Sequence, residues 1–360
     1  MTALPLSVTY IERVTFTLRR LYQQYGYAQY RMGKFEEYEL YARNRSFLVS
    51  DHILTFTDTD GKLLALKPDV TLSILKNRPD KSLTSQKVYY NENVYRTAPT
   101  SHGYREILQL GLESIGVLDD FAIAEVIELA AQSLATIHPG YILDLSHMGV
   151  VSGLLDAMEW EDRQEILELI EQKNVPAIQA LCEEDGNLPR CAELLCRLIG
   201  LYGTPDQVLP ELEGMAINET MRDAVAQLKT LCSLLRPYQQ NLRLDFSIVN
   251  DMNYYNGIIF RGYLPGLASG ILAGGQYDNL VQRMGKSGQA IGFAVYMDQL
   301  ERCEESEEGF DVDVLLLYNE SNDPAEVATA AQNLRAEGNT VRVERTIPAG
   351  LRYRTCREVD

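Results

Sequence analysis

Three short segments of the chain gather side chains that could hold a small charged molecule. In Lys67-Pro68-Asp69-Val70-Thr71 an acid and a hydroxyl leave one turn after a strand-like run ending at Leu66. Alone, this is most often a capped helix start, with Asp69 capping a helix that begins near Val70. The second segment runs from Tyr95-Arg96 through a polar loop to Tyr104-Arg105-Glu106-Ile107-Leu108-Gln109-Leu110-Gly111-Leu112-Glu113. Alternate residues of a strand share a face, so Ile107, Gln109, Gly111 and Glu113 project together. An amide and a carboxylate then stand near Arg96 and Arg105, and an arginine can grip a carboxylate or phosphate. In the third, Asn253-Tyr254-Tyr255-Asn256-Gly257-Ile258-Ile259-Phe260, two tyrosines precede an Asn-Gly pair that is also an ordinary hairpin turn. Each segment alone reads more readily as a turn or a cap than as a site.

Other chemistry finds little support. Six cysteines form no Cys-x-x-Cys pair, so reduced thiols of a cytoplasmic protein are expected rather than a zinc ribbon or redox dithiol. Four histidines show no His-x-x-x-His spacing, and neither metal nor cofactor is expected. Gly285-Lys286-Ser287 resembles the end of a phosphate-binding loop, but Leu280 stands where its first glycine belongs. Gly270 to Gly275 reads as a turn between strands where no side chain fits. With 33 basic against 51 acidic residues and a pI near 4.7, the chain lacks the clustered cations that nucleic acid demands. No apolar run approaches the roughly 18–20 residues of a membrane span, and the N-terminus lacks a secretory layout. A soluble protein without membrane contact is expected.

The elements that must position these segments follow from hydrophobic period. At 360 residues, 46% hydrophobic and 23% charged, one large domain with appendages or two to three domains can be buried. Residues 7–25 are amphipathic, 53–66 alternate around Asp60-Gly61, 87–96 and 106–116 read as strands, and 121–137 return to helical period. From about 150 to 238 strand signals vanish, and between Asp156 and Gly214 fourteen acids face four bases, so an acidic helical insertion is expected. Strands resume at 242–249, 257–263 and 290–295, each able to pair into one antiparallel sheet. After an acidic linker, 301–309, a strand, a helix (324–337) and a strand (340–344) make one β-α-β unit. The expected class is α+β: an antiparallel sheet flanked by helices, with a helical insertion and a short C-terminal α/β tail.

Taken together and in order, the segments resemble the catalytic core of histidyl-tRNA synthetase, a class II synthetase fold, from about residue 7 to 303. Tyr25-Gly26-Tyr27 and Phe35-Glu36-Glu37-Tyr38-Glu39-Leu40-Tyr41 look like that family's dimer-forming first motif. Residues 67–71 resemble its turn for the histidine amino group, and Tyr95 to Glu113 its ATP-binding second motif. Asn253 to Gly257 resembles the histidine-specific loop, Gly274-Gly275-Gln276-Tyr277-Asp278 the glycine-rich strand, and Ala290-Ile291-Gly292-Phe293-Ala294 the third motif.

The departures set the functional expectation. Where active synthetases carry an arginine before the Tyr-Tyr loop this chain has Asn250, and Gln299 replaces the arginine that clamps ATP. Ala98 replaces an acid of the second motif, whose loop is one residue shorter, and Gly33 replaces the first motif's proline. Two lost cations remove several kcal/mol of transition-state stabilisation, so adenylate formation is expected to be nearly abolished. The resemblance still leaves Asp69 and Thr71 for the α-ammonium, Gln109 and Glu113 for histidine, and Tyr254 or Tyr255 to close over the ring. A core without tRNA docking or adenylation resembles the regulatory subunit of ATP phosphoribosyltransferase, which implies a hetero-oligomer with the short catalytic subunit, a homodimer through the class II core, and L-histidine as effector. It also implies a core over 1–303, with the insertion at about 150–238, and a truncated anticodon-binding-like segment over 304–360. The competing expectation is an active, divergent histidyl-tRNA synthetase in which Arg261 or Arg243 replaces the missing arginines.

Overall fold

Apolar side chains at three- and four-residue spacing make α1 (Tyr10–Gln24), which buries Val14, Leu18 and Tyr22 and opens on a reciprocal cap between Thr9 and Glu12. This computed structural model describes residues 9–48, 53–79, 85–97, 103–160, 163–184, 189–249, 254–302 and 310–359. The chain divides into two compact units, Met1–Cys303 and Glu304–Asp360. In the first, α1 leads to β1 (Ala28–Gln29), β2 (Phe35–Glu37), α2 (Tyr38–Arg43) and the hairpin of β3 (Thr55–Thr57) and β4 (Leu63–Leu66). β4 pairs with both β2 and β3 in a small antiparallel sheet. Gly61, at φ 83°, supplies the left-handed residue of the hairpin turn.

α3 (Thr71–Asn77) precedes the long antiparallel pair β5 (Gln86–Thr97) and β6 (Tyr104–Gly116). α4 (Asp120–Ile137) follows, capped where Asp119 accepts from the Ala122 amide. Next comes β7 (Ile142–His147), which the hydrophobic pattern did not announce. All but its first residue are buried, so the polar alternation that marks a half-exposed strand is missing.

Residues 148–234 then form α5 (Met148–Ala157), α6 (Arg163–Glu171), α7 (Val175–Glu184), α8 (Pro189–Gly200), the two-residue β8 (Tyr202–Gly203), α9 (Pro205–Met215) and α10 (Glu219–Leu234). The expectation of a strand-free stretch is corrected by β8, which pairs antiparallel with β9 (Leu242–Asp245). Leu154, Ile178, Leu195, Leu212 and Leu228 of these helices share one apolar core with Leu143, Leu244 and Phe260 of the sheet.

β10 (Ile258–Tyr263), β11 (Leu272–Gln276), α11 (Asp278–Arg283) and β12 (Gln289–Tyr296) complete the unit. Nine strands make one sheet in the order β1-β5-β6-β12-β11-β10-β7-β9-β8. The fold is α+β, but the sheet is mixed rather than antiparallel throughout: β7 runs parallel to β9 and β1 to β5. The helices between β7 and β9 provide the long crossover that a parallel pair requires. β11 also corrects the reading of residues 270–275 as a turn. Its glycines answer to close packing, because a Cβ on Gly274 would lie 2.5 Å from the Gly292 carbonyl oxygen.

The second unit holds β13 (Val312–Leu317), α12 (Pro324–Ala336), β14 (Val341–Glu344) and β15 (Tyr353–Glu358). Its three strands are parallel in the order β14-β13-β15, over a core of Val314, Leu316, Ala331 and Leu334. β15 exceeds the β-α-β unit expected; it is exposed along nearly its whole length and carries no apolar alternation. Of the expected linker 301–309, the first two residues end a 3-10 helix, Met297–Arg302, and 303–309 lie outside the described residues. Among the described residues no helix is long and apolar enough to cross a membrane, and Cys182, Cys191, Cys196, Cys232 and Cys356 are free thiols.

Candidate functional site

Cross-strand register sets Gln109, Gly111 and Glu113 of β6 beside Tyr296, Ala294 and Gly292 of β12. The same face continues through Ala273 and Gly275 of β11 to Arg261 of β10. Small residues on the central strands leave a cavity of about 630 Å³ over this floor. Gly292 is required for it: a Cβ there would fall inside the Glu113 carboxylate. Asp69, Thr71, Arg96, Gln109, Glu113, Tyr254 and Tyr255 all border the cavity.

Glu113 is 2% exposed. Its Oε1 accepts from Thr71 Oγ1 at 2.8 Å and its Oε2 from Tyr277 OH at 2.6 Å. Burial pushes this carboxyl up to about 8; the two hydroxyls oppose the rise and nearby Asp69 adds to it. The group is therefore largely neutral near pH 7, and an arriving cation favours its ionised form. Asp69 serves the cap and the cavity at once, since its Oδ1 accepts from the Leu72 amide at 2.8 Å. Burial raises its carboxyl too, against the Leu72 amide and the Arg96 guanidinium. Arg96 braces the same turn by donating Nε to the Pro68 carbonyl at 3.0 Å.

Tyr254 packs edge-on against Tyr255, with ring centroids 4.5 Å apart, and lies within 6.1 Å of the Phe47 ring and 5.9 Å of the Tyr277 ring. This aromatic wall suits a flat ring. Gln109 is 3% exposed and, among the described residues, its amide has no hydrogen-bond partner, so donors and acceptor remain for a ligand. Arg105 lies apart. It shares the Glu113 side of β6 but sits at the strand's outer end, pairs with Asp298 at 3.2 Å, and does not border the cavity.

Several bordering residues were not singled out in the sequence. Tyr277 stood inside the glycine-rich motif without an assigned partner, and its contact with Glu113 spans 164 residues of chain. Phe47 and Glu171 come from segments with no chemical signature. Arg261 borders the far end, with a nitrogen 3.6 Å from Glu171 Oε1. Arg243, the other replacement cation considered, donates to the Gln240 and Leu242 carbonyls and does not border the cavity. Gln299 accepts from Ser269 Oγ at 2.9 Å. Ala98, Asn250 and Asn253 lie outside the described residues. Among the described residues no group of three His, Cys, Asp or Glu side chains could hold a metal ion.

The chain matches the family model described as histidyl-tRNA synthetase over residues 2–300. An ATP phosphoribosyltransferase regulatory subunit from Oceanobacillus iheyensis is 30% identical over 293 residues, covering 79% of this chain and 71% of that protein. A solved ATP phosphoribosyltransferase regulatory subunit/histidyl-tRNA synthetase from Bacillus halodurans superposes with a TM-score of 0.81 at 24% identity, covering 99% of this chain and 96% of that one. A chain of the ATP phosphoribosyl transferase (HisG:HisZ) complex from Thermotoga maritima gives 0.64 at 19% identity, covering 80% of this chain and 97% of that one. At these identities the structural likenesses speak for the fold.

Proposed function

Because the chain belongs to the family of ATP phosphoribosyltransferase regulatory subunits, on a histidyl-tRNA synthetase core, we propose that it regulates a separate catalytic subunit and performs no catalysis itself. The partner is the short-form phosphoribosyltransferase, joined in a hetero-oligomer at the first step of histidine biosynthesis. The chain pairs with its own copy through the class II core, works in the cytoplasm and docks no tRNA. Its 304–360 segment is anticodon-binding-like. L-Histidine is the effector, held between Asp69, Thr71, Gln109, Glu113 and the two tyrosines.

The supporting observation is the asymmetry of the cavity. Groups suited to a cationic amino acid border it together, while Gln299, which the resemblance aligns with the third motif's arginine, is hydrogen-bonded to Ser269. Removing one group that stabilises transition-state charge costs roughly 3 kcal/mol. The test mixes purified chain with the short catalytic subunit and follows sedimentation and turnover, with and without histidine. Association, activation and histidine inhibition are expected; a partner that neither binds nor changes its turnover defeats the reading. Histidine-dependent pyrophosphate exchange is expected to be absent, and robust exchange would favour a divergent synthetase.

A further inference from the structure

The cavity has two unlike ends. Asp69 and Glu113 mark one, and Arg261 marks the other. Between β6 and β10 lie three strand steps, about 14 Å at ~4.8 Å each. An arginine side chain and a free amino acid can bridge that distance together. The side chain of Arg261 runs against bare backbone, since a Cβ on Gly270 would stand 3.0 Å from Arg261 Cγ.

The pair that Arg261 makes with Glu171 is weak: a guanidinium nitrogen is 3.6 Å from Glu171 Oε1, too long for a hydrogen bond, and the Glu171 side chain is 52% exposed. Exposed pairs of this kind contribute little. A ligand carboxylate delivered by an ammonium already seated at Asp69 meets the guanidinium at high effective concentration. Tyr263 and Asp144 also lie against Arg261 and keep the guanidinium placed when Glu171 leaves.

Glu171 is the last residue of α6, and the turn after it is unusual. Lys173 has φ 53°, with its amide on the Ile170 carbonyl and the Asn174 amide on that of Leu169. This helix ending commonly takes glycine at the left-handed position. The Lys173 side chain ties the turn to the sheet through Asp245 at 3.0 Å and lies over the Tyr202 ring. The α6–α7 turn thus has one charged anchor at hydrogen-bond distance, Lys173, and one loose anchor, Glu171, and only the loose one borders the cavity.

We propose that Arg261 binds the carboxylate of the amino acid in this cavity, taking the place of Glu171, so that occupancy releases one anchor of the α6–α7 turn. The inference rests on reading the cavity as an amino-acid site; it adds the partner for the carboxylate and a route from ligand to helices.

Isothermal titration of the full chain with L-histidine and with histamine, which lacks the carboxylate, tests it. Wild type is expected to bind histidine at least tenfold more tightly than histamine. Arg261→Met should bring histidine down to the histamine level, while Arg105→Met, changing a cation that does not border the cavity, should preserve the preference. Glu171→Gln should tighten histidine severalfold, and histidine should speed amide exchange over residues 171–174 in wild type. If Arg261→Met keeps the preference, or Glu171→Gln leaves histidine affinity unchanged, the inference is overturned while the amino-acid reading stands. If wild type binds neither molecule, the amino-acid reading itself fails.

Discussion

The Glu113 carboxylate occupies the space that any side chain on Gly292 would fill. The two face each other across β6 and β12 in direct register, so neither strand can slip without closing the cavity. Gly292→Ala must expel the carboxylate from its bonds with Thr71 and Tyr277. A loss of about 2–4 kcal/mol in urea unfolding is expected from overpacking and broken hydrogen bonds, with histidine binding lost in calorimetry.

Glu113 also makes stability depend on pH. Its carboxyl is raised from an ordinary 4.5 to about 8 in the fold. Its contribution is therefore fully present below about pH 4.5 and is lost as pH rises towards 8, at roughly 1.4 kcal/mol per unit. Asp144, raised to about 7 by burial and by Asp245, gives a slope of the same sign. Glu113→Gln should flatten, without levelling, the fall in urea midpoint between pH 5 and 8.

Tyr277→Phe removes one hydroxyl from Glu113 and leaves the ring wall intact. Roughly 1 kcal/mol of stability should go, and Glu113 should rise further, visible as an upward shift in its carboxyl titration by NMR.

Arg105→Ala should be nearly silent. Its partner Asp298 is reached at the exposed end of β6, where such pairs contribute about 0–1 kcal/mol. Histidine affinity should match wild type, and a tenfold loss would place Arg105 in the site after all.

The local pattern of the chain carried much of this architecture, and the non-local part escaped it. α1, α4, β5 and β6 follow from period alone, and Asp69 could be assigned both a cap and a pocket because both uses need the same short acid. β7 was silent because burial on both faces erases alternation. β11 was silent because glycines needed for close packing look like turn residues. Arg105 and Arg261 show the limit for the site. Which arginine reaches the cavity depends on its height along a strand and on partners far away in the chain.

 Asp298 stands 193 positions from Arg105, and Glu171 stands 90 positions from Arg261, so no local window contains either pair.

A buried acid that keeps its hydrogen until a cation arrives turns occupancy into acidity. Each positively charged guest seated beside Glu113 should expel a hydrogen ion into the medium, so the pocket should grip harder as the surroundings grow more alkaline, up to about pH 8. Titrations in buffers of unequal ionisation heat would register that expelled ion directly, and equal heats in every buffer would mean that Glu113 keeps it.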